Sequence, residues 1–309
     1  MCRVGFGVFR HAVFGIGLMY AGMVSVLAQD IEPRAYSNAP VGVNFLIAGY
    51  AYTEGGLAFD PALPLKNPDL ETNNALLAYA RTLDLAGCSG KFDLVLPYTF
   101  LEGTADSADG ELERNVDGLG DAKFRVSVNF YGAPALSLPE FSRYRQDLIV
   151  GVSAQISAPT GQHDESRLIN IGSNRWSLKP EIGVAKALDR WTLEGALSAT
   201  LFTDNDDFYN GRTREQKPLY SLQGHVIYSF ESGQWLSVDV NYFTGGRTTI
   251  DDSVNRDLQK NWRTGVTWAL PVDKLNSIKL FASRGVSART GNNFDLLGIA
   301  WQHRWGGGL

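Results

Sequence analysis

The sequence predicts an all-β fold, a transmembrane antiparallel up-and-down β-barrel of about twelve strands. Three observations predict it. Past residue 28 no apolar run approaches the roughly 18–20 residues that a spanning helix needs. Segments in which apolar and polar residues alternate one by one recur along the whole chain, a period that a helix, repeating every 3.6 residues, does not produce. The connections between those segments also alternate, long then short, as where short periplasmic turns face longer external loops. A chain that crosses a bilayer without apolar helices crosses it as a closed barrel, because closure satisfies every backbone group in lipid.

Composition fits. The 309 residues include 33 glycines, 11 % aromatics and two cysteines, a mixture suited to many strands. The N-terminus reads as a signal peptide. Arg3 and Arg10 supply the positive start, Ala12 to Leu27 is almost wholly apolar, and Val26-Leu27-Ala28 offers a cleavage site after Ala28. Asp30 and Glu32 follow; an uncleaved anchor is the alternative. The chain therefore divides into a signal peptide (1–28), a periplasmic N-terminal segment (29–42) and an outer-membrane barrel (43–309). Loss of residues 1–28 removes two arginines and no acid, which leaves 26 basic against 33 acidic residues and takes the charge from −5 to −7. No basic stripe appears, so nucleic acid is excluded as a partner. Cys2 leaves with the signal peptide, Cys88 remains alone, and no internal disulfide forms.

Strands are predicted near 43–55, 72–86, 90–101, 119–132, 146–158, 176–187, 190–203, 218–231, 234–245, 261–271, 276–286 and 294–305. The clearest sets Phe124, Val126, Val128 and Phe130 against Lys123, Arg125, Ser127 and Asn129. Leu236, Val238, Val240 and Tyr242 alternate with Ser237, Asp239 and Asn241 in the same way. The first two strands alternate poorly, and their facing stays open. Long connections fall at 56–71, 102–118, 159–175, 204–217, 246–260 and 287–293. Short ones fall at 87–89, 188–189, 232–233 and 272–275, and 133–145 is a longer exception. Aromatic residues near strand ends read as interfacial girdles: Tyr98, Phe100, Tyr131, Trp176, Trp191, Phe202, Trp235, Phe243, Trp262 and Trp305. A secreted soluble sandwich shares the periodicity, with its apolar faces meeting in a core. Long strands, the girdles and a chain ending on a strand favour the barrel.

Two stretches carry a family resemblance. One is Ile31-Glu32-Pro33-Arg34-Ala35-Tyr36 running on to Pro40-Val41-Gly42-Val43-Asn44-Phe45. The other is Leu297-Gly298-Ile299-Ala300-Trp301-Gln302-His303-Arg304-Trp305. With them the chain resembles, over most of residues 30–305, outer-membrane transporters of the MetA-pathway of phenol degradation type. The resemblance implies uptake of aromatic compounds and carries no functional residues across. Many outer-membrane barrels end on an aromatic residue, whereas here Gly306-Gly307-Gly308-Leu309 follows Trp305.

If the apolar faces meet lipid, the inward polar set is Asp93, Lys123, Arg125, Lys179, Glu181, Glu194, Gln223, His225, Asp239, Arg263, Lys279 and Arg304. Two readings stay open: a polar pathway for small solutes, or a paired network that fills and stiffens a narrow barrel. Twelve strands lie between the eight that side chains fill and the sixteen that leave a water channel. An outer-membrane phospholipase is the enzymatic rival. It needs a serine within reach of a histidine. His163-Asp164-Glu165, His225-Val226-Ile227 and His303-Arg304-Trp305 lack one at the two-residue spacing of one strand face, and Ser221 lies four residues from His225. No catalytic residue and no cofactor is assigned. Asp204-Asn205-Asp206-Asp207 and the acidic stretch from Glu102 to Asp121 carry calcium-type oxygens without EF-hand spacing, and read as solvated loops rather than metal sites. Gly118-Leu119-Gly120-Asp121 leads into a strand, so it is no nucleotide loop. Without a nucleotide motif, uptake is expected to be passive. The expected partners are outer-membrane lipid and lipopolysaccharide, the barrel-assembly machinery and a small-molecule solute.

Overall fold

The computed structural model describes residues 32–55, 57–58, 66–107, 110–167 and 169–309. The signal-peptide segment lies outside them. Twelve antiparallel strands form one closed sheet: β1 (Val43–Gly55), β2 (Lys66–Leu85), β3 (Cys88–Ser107), β4 (Lys123–Tyr131), β5 (Leu148–Ser157), β6 (Ser177–Leu188), β7 (Trp191–Phe202), β8 (Leu219–Ser229), β9 (Trp235–Gly245), β10 (Gln259–Pro271), β11 (Asn276–Ser287) and β12 (Asp295–Gly306). Each strand pairs with its neighbours in chain order. β12 closes onto β1, with Gly306 opposite Val43 and Asp295 opposite Glu54.

Alternation sets which side chains face in. Along β8, Ser221, Gln223, His225 and Ile227 are buried while Tyr220, Leu222 and Val226 are exposed. Along β9, Ser237, Asp239 and Asn241 are buried while Leu236, Val238 and Val240 are exposed. The register places His225 opposite Asp239 and Val226 opposite Val238, so rows of like facing run around the sheet. The exposed rows continue through Phe124, Ile182, Leu197, Val266, Leu280 and Ile299 as an apolar belt. A belt this extensive fits a hydrocarbon surround, so the barrel spans a membrane.

Three sequence expectations change, and the facing of β1 and β2, left open by the sequence, is resolved. Phe202, Trp235 and Phe243 share the parity of the inward rows and face the lumen, so they leave the girdle; Phe100, Tyr131, Trp176, Trp191, Trp262 and Trp305 stay exposed. β1 and β2 alternate poorly because both of their faces are apolar: Phe45, Ile47, Leu76, Ala78 and Ala80 point inward. The described residues of 102–118 are strand rather than loop. β3 runs on to Ser107, and Gly110–Leu119 pairs with its outer half before the chain breaks at 120–122 and resumes as β4. The loops 204–217 and 246–260 fold together into a four-stranded sheet of Asn205–Tyr209, Arg212–Gln216, Thr248–Ile250 and Ser253–Val254, built on buried Phe208 and Ile250.

The periplasmic turns are tight. Ala86-Gly87 joins β2 to β3 with φ of 55° and 83°, the left-handed pair of a two-residue hairpin. The longer 133–145 link holds the short helix α1 (Leu138–Phe141). There the N–H and hydroxyl of Ser137 both donate to the Glu140 carboxylate.

Candidate functional site: the barrel lumen

The barrel encloses a cavity of about 720 Å³, reaching from the N-terminal segment at the periplasmic end to the loop sheet at the extracellular end. Its wall has two chemically distinct sides. Neighbouring strands β12, β1 and β2 present Leu296, Phe45, Ile47, Leu76 and Ala78, flanked by Phe281 of β11 and Val95 of β3, two strands that also carry Lys279, Lys91 and Asp93. Facing them, β4 to β10 present charged and amide side chains. Two-residue periodicity makes this division possible, because each strand chooses its inner face independently of its lipid face.

Eleven of the inward polar candidates line this cavity: Asp93, Lys123, Arg125, Lys179, Glu181, Glu194, Gln223, His225, Asp239, Arg263 and Lys279. Arg304 lies apart, on the exposed periplasmic end of β12, where its Nε donates to the Lys274 carbonyl at 2.8 Å. The polar wall is paired. Glu181 receives Arg125 Nη2 at 3.0 Å and Lys179 Nζ at 3.4 Å, and Lys91 sits 3.3 Å from Asp93. His225 Nδ1 meets Asp239 Oδ1 at 2.8 Å, while the hydroxyls of Ser237 and Thr267 donate to the other Asp239 oxygen at 3.1 and 3.3 Å. Ser221 donates to Asn241 at 3.2 Å, away from the histidine. Arg263 donates to Ser283 at 2.8 Å and lies 3.9 Å over the Phe294 ring. No three metal-ligating side chains group together among the described residues.

The N-terminal segment completes the site. It crosses the rim at Gly42, whose N–H donates to the Thr82 carbonyl, and then folds back inside the barrel. Tyr36 packs with Ile149 and Ala185, and its hydroxyl donates to Glu181 at 2.9 Å. The Arg34 N–H donates to Glu194 at 2.7 Å and its guanidinium to Ser229 at 2.6 Å, 5.1 Å from the Trp235 ring centroid. Glu32 pairs with Arg125. Enclosure works to raise its pKa, but Arg125, Lys91, Lys179 and Lys279 together hold it down at about 2. Residues 32–42 narrow the periplasmic half of the lumen.

At the extracellular half stand two arginines that strand periodicity did not reach, Arg175 before β6 and Arg214 in the loop sheet. Both are buried and both line the cavity. The signal for the loop sheet is present in the sequence. Asn210-Gly211, with φ of 51° and 73°, is the strongest short-range hairpin dipeptide.

The sequence matches the family model described as "Putative MetA-pathway of phenol degradation" over residues 58–302. The chain belongs to this family. No curated protein matches the sequence. Among solved structures, an outer membrane channel from Pseudomonas putida F1 is 20 % identical, with a TM-score of 0.75 over 89 % of this chain and 100 % of that one. The β domain of the Bordetella autotransporter BrkA is 9 % identical over 86 % of this chain and 100 % of that one, at a TM-score of 0.49. The fold of this phenol-degradation family member is thus an outer-membrane-type barrel, with lipid as its surround.

Proposed function

We propose that the protein is a passive outer-membrane channel for small molecules, with aromatic and hydrophobic compounds as its solutes. The carrying observation is the two-sided lumen. A solute with an apolar ring and one polar group finds an apolar wall on β12, β1 and β2 and hydrogen-bonding groups opposite, in a cavity the size of small-ligand sites. The family description and the likeness to the Pseudomonas outer membrane channel support the same reading. The reading is non-enzymatic: Ser237 beside the His225–Asp239 pair gives its hydroxyl to the aspartate rather than to the histidine, and Ser221 is turned to Asn241. Export is assigned to a cleaved signal peptide, and insertion to the barrel-assembly machinery and a lipopolysaccharide-bearing leaflet.

The test is conductance of the purified full chain in a planar bilayer, beside uptake of phenol-sized solutes into proteoliposomes. Discrete conductance and solute-dependent uptake are expected. A correctly folded barrel that neither conducts nor admits solutes would overturn the proposal. It would favour the second reading, a filled barrel, for which the Glu32–Arg125–Glu181–Lys179 network speaks.

A further inference from the structure

The chain carries a net charge of −5, yet nine Lys and Arg against seven Asp and Glu line the cavity. The excess is concentrated at the extracellular end. Arg175 and Arg214 lie there within each other's field, with exposures of 3 % and 8 %. The Arg214 Nε has no hydrogen-bond partner, and no acid among the described residues acts on its guanidinium, whose pKa burial alone lowers. Arg175 donates through Nη2 to Gln216, two residues from Arg214 along the same loop strand. Burial, and then the neighbouring Arg214 charge, lower the pKa of Arg175, while burial brings Arg214 down to about 10. Of the acids near Arg175, Asp121 is committed to the 159–175 connection, accepting from the N–H groups of Gly161 and Ser173 at 3.0 and 2.9 Å. Asp204 is the other. Aromatic rings back both guanidinium groups, Phe202 at 4.4 Å from Arg175 and Phe208 at 4.9 Å from Arg214.

Two like charges held together in a buried place are costly unless an anion joins them. A guanidinium presents forked donors that match a carboxylate, and the stacked ring fixes its plane. Across the lumen the apolar wall offers a surface for a ring. We infer that Arg175 and Arg214 form a binding site for small arenecarboxylates, which are gripped by the carboxylate at the extracellular mouth before they pass inward. The inference rests on the channel reading and names its solute class.

The experiment separates the two. Benzoate is titrated calorimetrically into the full chain in detergent, with benzyl alcohol and inorganic phosphate as comparison probes, and the same protein is measured in a planar bilayer. Saturable benzoate binding is expected, with weaker binding of both comparison probes. Arg214→Gln and Arg175→Gln are each expected to weaken benzoate at least about tenfold while keeping the heat-dependent gel shift of a folded barrel, and Arg214→Lys to recover part of the loss. Benzoate should also interrupt the current at concentrations that rise equally in the glutamine variants. Benzyl alcohol or phosphate binding as tightly as benzoate would overturn the assignment. So would glutamine variants that are folded and unchanged. A silent bilayer with benzoate binding intact would overturn the channel and leave the site. Conductance without benzoate binding would overturn the site and leave the channel.

Discussion

At the scale of single residues, Asp257 joins the loop sheet to the barrel. Its carboxylate accepts from the Thr248 N–H at 2.9 and 3.1 Å and from the Thr248 hydroxyl at 2.6 Å, while Asn255 donates to that hydroxyl at 2.8 Å. Burial outweighs these bonds and lifts its pKa from 3.8 to about 6. The folded loop therefore holds this proton more tightly than an opened loop does. The stabilisation, at most about 3 kcal/mol from the size of the shift, is complete below the ordinary value and lost as pH rises through about 6. Amide exchange over residues 248–257, corrected for intrinsic rate, should show protection falling between pH 4 and pH 7, and Asp257→Asn should flatten the profile. Protection that rises over the same interval would reverse the argument. Such groups are hard to read from sequence. Asp257, Arg175 and Arg214 lie in connections, where no period says which way a side chain points. His225 and Asp239 lie on strands, so their facing follows from Val226 and Val238 beside them.

At the scale of elements, facing was legible wherever one face is apolar and the other polar, as along β4, β8 and β9. It was illegible on β1 and β2, where lipid outside and the apolar lumen wall inside both select for apolar residues. The N-terminal segment was illegible for another reason: its contacts lie more than 90 positions away, from Glu32 to Arg125 and from Arg34 to Glu194. Its seat is nonetheless written in two glycines. A Cβ at Gly183 or Gly151 would stand 2.1 or 2.5 Å from the Tyr36 ring, so only glycine leaves room for the ring to lie against the wall. Gly183→Val should expel Tyr36 and release the segment, and Tyr36→Ala should remove its anchor. Both are expected to raise single-channel conductance by widening the periplasmic half. If neither variant changes the conductance, the segment does not limit the lumen. The extracellular elements were read as loops because acidic and polar runs suit solvent equally well in a loop or in a strand that leaves the membrane.

At the scale of the whole molecule, the outer face meets two solvents, and the same exposure means opposite things in each. Val238 is 56 % exposed on the middle of β9, between Val226 and Val266 of the adjoining strands. Val254 is 64 % exposed on the loop sheet, beyond the barrel wall. On a water-soluble protein, arginine at either position would change stability by less than about 0.5 kcal/mol. In a bilayer the two separate. Val238→Arg places a charge in hydrocarbon near the midplane and should cost about 2–4 kcal/mol, whereas Val254→Arg should be close to neutral. Reversible unfolding in lipid vesicles, followed by the gel shift of the closed barrel, measures the difference. Equal stabilities for the two variants would mean that the apolar belt does not face lipid, and the inward facing of every lumen residue would fall with it. The two faces of each strand are linked by its pleat, so the bilayer that selects the outer row also aligns His225, Asp239 and Arg263 along the inner one.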